Sequence, residues 1–383
     1  MAAILKHWRE AATLILVAKR AQTITGIGNR IEKSTTKTYD YDILMLKRSS
    51  KSKFMPKLYV FPGGVAQDVD FSKEWIDVFR GCQIDSLFEF LKRGGTGPYM
   101  FSRRRNAEFE HIPSELAFRI CAIRETFEES GVLLVRNNVD LTKSNSLETG
   151  PIYGNISSLS ESVIQSWRKR VNKDATEFLI MCQELQVVPD VWSLNEWSNW
   201  LTPVIMRSDE GRAKRRFDTS FYLCVMDHMP PAIQDDTETV HAEWSSPDVF
   251  MNNRFEGGLA PPQVYELCRM LNFTDADKLN HFAWTRSMTC SRVERYFPVP
   301  CFCSDGLVVL YPGDEMYPKE PDFEGKNPIL SFDFTMEEMR KKYPLRNRSK
   351  RNEGIFEVNV EPKDGHKIPM LDLSSIGMTE SKL

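Results

Sequence analysis

Apolar residues open the chain in two dense blocks, 12–19 and 42–48, separated by a polar segment with Gly26, Gly28, Asn29 and a Ser/Thr-rich patch. Blocks of this length bounded by turn formers predict strands. A third, 57–64, ends on Pro62-Gly63-Gly64, a turn signal that stops a strand. The next clear periodicity is helical. Leu116, Ile120, Ile123 and Phe127 recur at intervals of four, three and four, one apolar face of a helix over 114–130. Pro113-Ser114 reads as its start, with Ser114 capping and Glu115 in the first turn, and Gly131 as its stop.

"VLLV" (132–135) reads as a short buried strand, 140–160 as a polar loop and 161–186 as one helix. Residues 195–206 and 215–226 predict a pair of strands around a charged turn at 208–214. A strand follows in 238–250, with a turn at Ser245-Ser246-Pro247 opening a helix. Helices are expected at about 262–273 and 275–288, then two short strands in "PCFC" and "GLVVLYPGD", then a polar tail. Residues 65–113 read as an insertion. Strands alternating with helices, and no internal repeat, predict an α/β fold.

Composition narrows the function classes. The chain has 383 residues, 41% of them hydrophobic, enough for a large core. A net charge of −3 supplies no global basic field for nucleic acid. The basic runs at Arg103–Arg105, Arg212–Arg216 and Arg340–Arg351 read as solvated surface. Eight cysteines (82, 121, 182, 224, 268, 290, 301, 303) form no CxxC repeat and no His/Cys cluster of zinc spacing. Free thiols in a reducing compartment are expected. No run approaches the ~18 apolar residues of a membrane span. The closing Ser381-Lys382-Leu383 is a peroxisomal address at a free C-terminus, so the expectation is a peroxisomal protein with the import receptor as a partner.

Charge density peaks at 124–129, where Arg124, Glu125, Glu128 and Glu129 share one helical segment. Glu125 neighbours both later glutamates, and Arg124 neighbours Glu128. Solvated like charges at this spacing cost only ~0.2–0.5 kcal/mol per pair, so a wet helix face is one reading. The other is a cation site. Clustered oxygen donors suit Mg2+ or Mn2+, which bind a few carboxylates plus substrate phosphate oxygens, the arrangement of metal-assisted phosphoanhydride hydrolysis. Gly131 after the acidic run and the Pro-Gly-Gly turn would let a ligand come close.

The segment Arg124-Glu125-Thr126-Phe127-Glu128-Glu129-Ser130-Gly131-Val132 resembles the second half of the Nudix box, REUxEExGU, with Thr126 in the aliphatic slot. In the first half, GX5E before X7RE, Gly64 can be the glycine. The acidic slot, counted back from Arg124, holds Leu116, with Glu115 one place off. Between Gly64 and Leu116 lie 51 residues where the family has five, an insertion of 46. Residues Leu44 to Gly64 are similar to the pattern LLTxR(S/A)x3Rx3Gx3FPGG of coenzyme A-cleaving members. Leu44, Arg48, Ser49 and Phe61–Gly64 match; Met45, Leu46, Lys53 and Lys57 depart.

The resemblance implies a Nudix α/β/α sandwich with a mixed sheet over 8–256, an insertion at about 65–113, and a C-terminal extension over 257–383. It implies hydrolysis of the diphosphate of coenzyme A or acyl-CoA to (acyl-)phosphopantetheine and adenosine 3′,5′-bisphosphate. Glu125, Glu128 and Glu129 would hold Mg2+ or Mn2+, Glu129 foremost, with Arg124 orienting them. Arg48, Gly63 and Gly64 would bind the coenzyme, Arg48 reaching its 3′-phosphate. The family often adds a glutamate from a later loop as base or ligand; Glu238 and Glu243 are the candidates, and Glu115 a stand-in for the missing acid. The alternatives are an NADH- or ADP-ribose-type diphosphatase and a non-catalytic coenzyme A-binding protein.

Overall fold

The structure, a computed structural model, describes residues 8–21, 38–51, 56–82, 84–92, 98–137, 150–203, 216–235, 239–252, 258–289, 293–350 and 356–358. The opening strands are β1 (Arg9–Lys19), β2 (Tyr41–Arg48), β3 (Tyr59–Val60) and β4 (Gly63–Val65). Helices α1 (Trp75–Val78), α2 (Ile84–Lys92) and α3 (Ser114–Ser130) follow, then β5 (Val135–Asn137), α4 (Glu161–Val171), α5 (Thr176–Glu184) and β6 (Val187–Pro189). Next come β7 (Asn195–Leu201), β8 (Phe217–Met226), β9 (Thr239–Ser245), α6 (Pro247–Met251), α7 (Pro261–Met270) and α8 (Ala276–Thr289). The last group is β10 (Arg295–Tyr296), β11 (Val299–Cys303), β12 (Gly306–Leu310), β13 (Leu330–Ser331), α9 (Met336–Lys342), β14 (Asn347–Lys350) and β15 (Phe356–Val358).

β1 is the axis of the molecule. It runs parallel to β8 and antiparallel to β2 in a mixed sheet ordered β10-β7-β8-β1-β2-β3, with β4 also on β1 and β9 on the far side of β2. Ala12, Leu14, Leu16 and Ala18 enter one core and Ile15 and Val17 the other. A strand buried on both faces reads as an unbroken apolar run, which is why its sequence lacks alternation. The first face carries α3, with α1, α2, α4 and α5 around it. The second carries α6, α7 and α8. This is the α/β/α sandwich expected. Its second helical layer comes from residues 247–289, so the sandwich runs past the expected boundary at 256.

Several expectations change in the structure. The 57–64 strand is two pieces, β3 on β2 and β4 on β1, split at Pro62, which has no N–H for a ladder. Helix α3 spans 114–130 as expected and ends on Gly131 at φ 75°. Ser114, however, is its first residue rather than a cap. The N-cap is Pro113, and Ser114 Oγ accepts from Arg105 Nε at 3.1 Å. Only Val135 of "VLLV" enters a named strand. The single helix over 161–186 is two, because Asp174 Oδ1 accepts the Thr176 N–H at 2.9 Å and starts a new helix there.

The two strands expected in "PCFC" and "GLVVLYPGD" are β11 and β12, and the polar tail adds β13, β14 and β15 to them in a five-stranded sheet, β13-β11-β12-β14-β15, packed with α9. Thr335 and Glu338 form a reciprocal capping box on α9.

The basic runs are only partly solvated. Arg103 pairs with Glu10 (2.8 Å) and with the fully buried Asp218, Arg105 with Glu10 (2.7 Å), and Arg295 also with Asp218. Arg348 grips buried Asp314 with two bonds, 2.7 and 2.9 Å. Burying an arginine beside a carboxylate is tolerable where a lone charge is not. Arg103 and Arg105 thus fasten the inserted segment to the start of β1. Among the described residues, no helix is long and apolar enough to cross a membrane, and seven cysteines are free thiols. Lys53, Glu238 and Ser381-Lys382-Leu383 lie outside the described residues.

Candidate active site

Helix α3 is buried almost all round, so its carboxylates are not a wet face. The side chains of Glu125 and Glu128 are 13% and 18% exposed, and Glu129 is buried. Glu125 and Glu128 close on Arg124, which is itself fully buried. Arg124 Nη1 donates to Glu125 Oε1 (2.8 Å) and Glu128 Oε1 (2.6 Å). Its other edge is taken by Asp70, which accepts from Nε and Nη2 at 2.8 Å each.

Asp70 answers the question of the missing acid. It stands six positions after Gly64, which is the GX5E spacing counted forward from the glycine. The first half of the box is therefore present, with Asp for Glu, and the 46 extra residues follow it. Residues 65–70, assigned to the insertion from sequence, belong to the site. Glu115, counted back from Arg124, is not the partner; its carbonyl accepts from Arg119. The forward count would have found Asp70 from sequence.

Two glycines admit this packing. Gly63 sits at φ 154°, and its N–H donates to Glu129 Oε2 at 2.9 Å. A Cβ at Gly64 would lie 2.3 Å from Glu125 Oε2, inside any real contact distance. Both glycines let strand β4 lie against the carboxylates of α3. They thus shape the carboxylate cluster.

The electrostatics favour a cation. Three carboxylates meet one guanidinium and Glu129 adds a fourth negative charge two helical turns or less away, leaving a surplus of negative charge in a largely dry site. Burial, then the charge of Glu125, push Glu128 up to about 7 against the opposing pull of Arg124. As the side chains stand, no three acidic, imidazole or thiol groups among the described residues converge on one point. Glu125 and Glu128 turn to Arg124, and Glu129 to Gly63. The donor set itself, hard carboxylate oxygens with excess charge, fits Mg2+ or Mn2+.

The remaining sequence candidates divide. Arg48 stands opposite Thr239 in the β2–β9 pairing, and Thr239 Oγ1 reaches the Glu129 carbonyl at 3.5 Å. Opposed residues share a sheet face, which puts Arg48 on the α3 side. Glu243 stands opposite Met45, a residue of the other core, and bonds Ser245 and His241. The structure does not bring Glu243 to the carboxylates. The aromatics Trp197, Trp200, Phe221 and Tyr222 are core.

Lys57, the departure at a glycine position, keeps the glycine's backbone, with φ 65°. Left-handed φ costs an L-residue roughly 1 kcal/mol. Lys57→Gly is expected to raise stability by up to about that amount, read as a higher urea midpoint at constant slope. An unchanged or lower midpoint would show that the lysine side chain holds the turn.

A family model described as the NUDT19 Nudix domain matches residues 8–270, and one described as the NUDT19 C-terminal domain matches 301–350. The chain is 38% identical to the acyl-coenzyme A diphosphatase NUDT19 of Gallus gallus, over 96% of each chain. It is 36% identical to the protein of that name in Xenopus laevis, over 96% of each, and 34% to that in Homo sapiens, over 95% of each.

Proposed function

The chain belongs to the NUDT19 branch of the Nudix hydrolases, and from that membership we propose that it is an acyl-coenzyme A diphosphatase. Water cleaves the diphosphate of coenzyme A or an acyl-CoA, giving (acyl-)phosphopantetheine and adenosine 3′,5′-bisphosphate. The observation that carries the reading is the buried Arg124 holding Asp70, Glu125 and Glu128 together beside Glu129. A binding module has no need of such an assembly.

Bound Mg2+ or Mn2+ supplies charge neutralisation at the phosphoryl oxygens and a more acidic water. The chain's own residues do the rest. Asp70 anchors Arg124, and Arg124 fixes Glu125 and Glu128 on one side of α3. The Gly63 N–H sets the direction of Glu129. Glu125, Glu128 and Glu129 are the ligands, and Glu238 is the additional base or ligand. Arg48 takes the 3′-phosphate of the adenosine end, where a guanidinium fork matches phosphate oxygens. The Ser381-Lys382-Leu383 ending supports import into the peroxisome through its receptor.

The test is to incubate the full chain with coenzyme A, an acyl-CoA, NADH and ADP-ribose, each with Mg2+, Mn2+ or EDTA, and weigh the products. Adenosine 3′,5′-bisphosphate should form from coenzyme A and acyl-CoA, and only with metal. Preferential cleavage of NADH or ADP-ribose, or product in EDTA, would overturn the reading.

A further inference from the structure

The last turn of α3 carries two of the proposed ligands, and its end carbonyls have no partners within the helix. They find them outside. The Glu128 carbonyl accepts Arg168 Nε at 2.9 Å, and the Ser130 carbonyl accepts the Ile233 N–H at 2.9 Å. Arg168 belongs to α4 and is itself only 3% exposed. Its Nη1 also reaches the Gln234 carbonyl at 3.5 Å. One buried guanidinium therefore joins α4, the end of the carboxylate helix, and the 230–235 segment that leads toward Glu238.

Gly131 adds to the case. Its left-handed φ ends the helix, and a Cβ there would come within 3.4 Å of Arg168 Nη1. The glycine leaves the arginine room to lie against the turn. A cation at a helix C-terminus also meets the favourable end of the dipole.

We propose that Arg168 is a positioning residue for the metal ligands, holding the Glu128–Glu129 turn at the angle an ion requires. The proposal rests on the metal-dependent reading above. It does not follow from charge alone, because charge predicts the opposite. Removing a positive group beside a carboxylate cluster should by Coulomb attraction tighten cation binding. Removing a positioning group should loosen it, since outer residues that orient ligands typically account for 10–100-fold in metal affinity.

Mn2+ binding to the full-length chain, followed by the electron paramagnetic resonance signal of free Mn2+, separates the two without turnover. Arg168→Met should weaken Mn2+ binding by about tenfold or more. Arg168→Lys, which keeps the charge but not the fork, should fall between Arg168→Met and the parent. Arg170→Met is the control. Arg170, also on α4, stacks on Trp167 and pairs with Glu177 of α5, and its loss should leave Mn2+ affinity unchanged.

Unchanged or tighter Mn2+ binding in either Arg168 variant would overturn the proposal, as would a thermal midpoint that falls while affinity holds. If Arg168→Met does not fold, the lysine variant carries the test. Parent protein that binds Mn2+ but cleaves no coenzyme A would sink the assigned reaction and leave the positioning role standing.

Discussion

Glu129→Gln lowers turnover of coenzyme A by at least about 100-fold, the upper end of what outer residues of metal sites account for, and leaves the chain folded. The substitution is close to isosteric. The amide oxygen of glutamine can still accept the Gly63 N–H that Glu129 Oε2 accepts at 2.9 Å. What it loses is the charge and the second hard oxygen a divalent ion needs. Steady-state kinetics at saturating Mg2+, beside a thermal melt, measure the two effects separately. Turnover within a few-fold of the parent would remove Glu129 from the ligands and shift the role to Glu125 and Glu128.

Arg124→Met destabilises the chain by about 3–5 kcal/mol, the range for removing one partner of a buried ion pair. The guanidinium is fully buried and meets Asp70 with two bonds of 2.8 Å. Without it, Asp70 keeps the Gln67 N–H at 2.8 Å but has no countercharge, and Glu125 and Glu128 repel unscreened. Urea titration reads the loss directly. The double variant with Asp70→Leu should recover much of the stability, because an apolar pair of similar volume replaces a buried ion pair at little cost. It should not recover activity. A single-variant loss below about 1 kcal/mol, the scale of a surface pair, would mean the pair is solvated.

The sequence made the fold legible where local signals agree with tertiary packing. Helix α3 carries an apolar repeat and a stop glycine, and its bounds are those expected. Strands β1, β2 and β8 carry dense apolar runs because both of their faces are covered. The rest depended on partners far away in the chain. Arg103 and Arg105 look like surface charge until Glu10 and Asp218, 93 to 115 positions away, are seen beside them. β14, with the sequence NRSK, has no apolar signature and is a strand only through β12 and β15. Asp70 was hidden for a different reason. The motif spacing was intact on the glycine side, and the count that failed was taken across the inserted segment.

That inserted segment has a consequence for how the protein assembles. Between Asp70 and Arg124 stand 53 residues, where an uninterrupted box has seven. Joining the two halves closes a chain loop, and closure entropy grows as three-halves RT times the logarithm of loop length. The longer loop therefore costs about 2 kcal/mol more to close. The segment offsets that cost with its own anchors: Trp75, Phe79 and Met100 in the core and Arg103 and Arg105 on β1 and its neighbour. Non-local contacts of this kind form late, because the intervening chain must be ordered first. The central pairing of β1 with β8 spans more chain still, from Arg9 to Phe217, so sheet and carboxylate cluster both wait on long-range closure, and metal affinity should be acquired with the native fold rather than ahead of it.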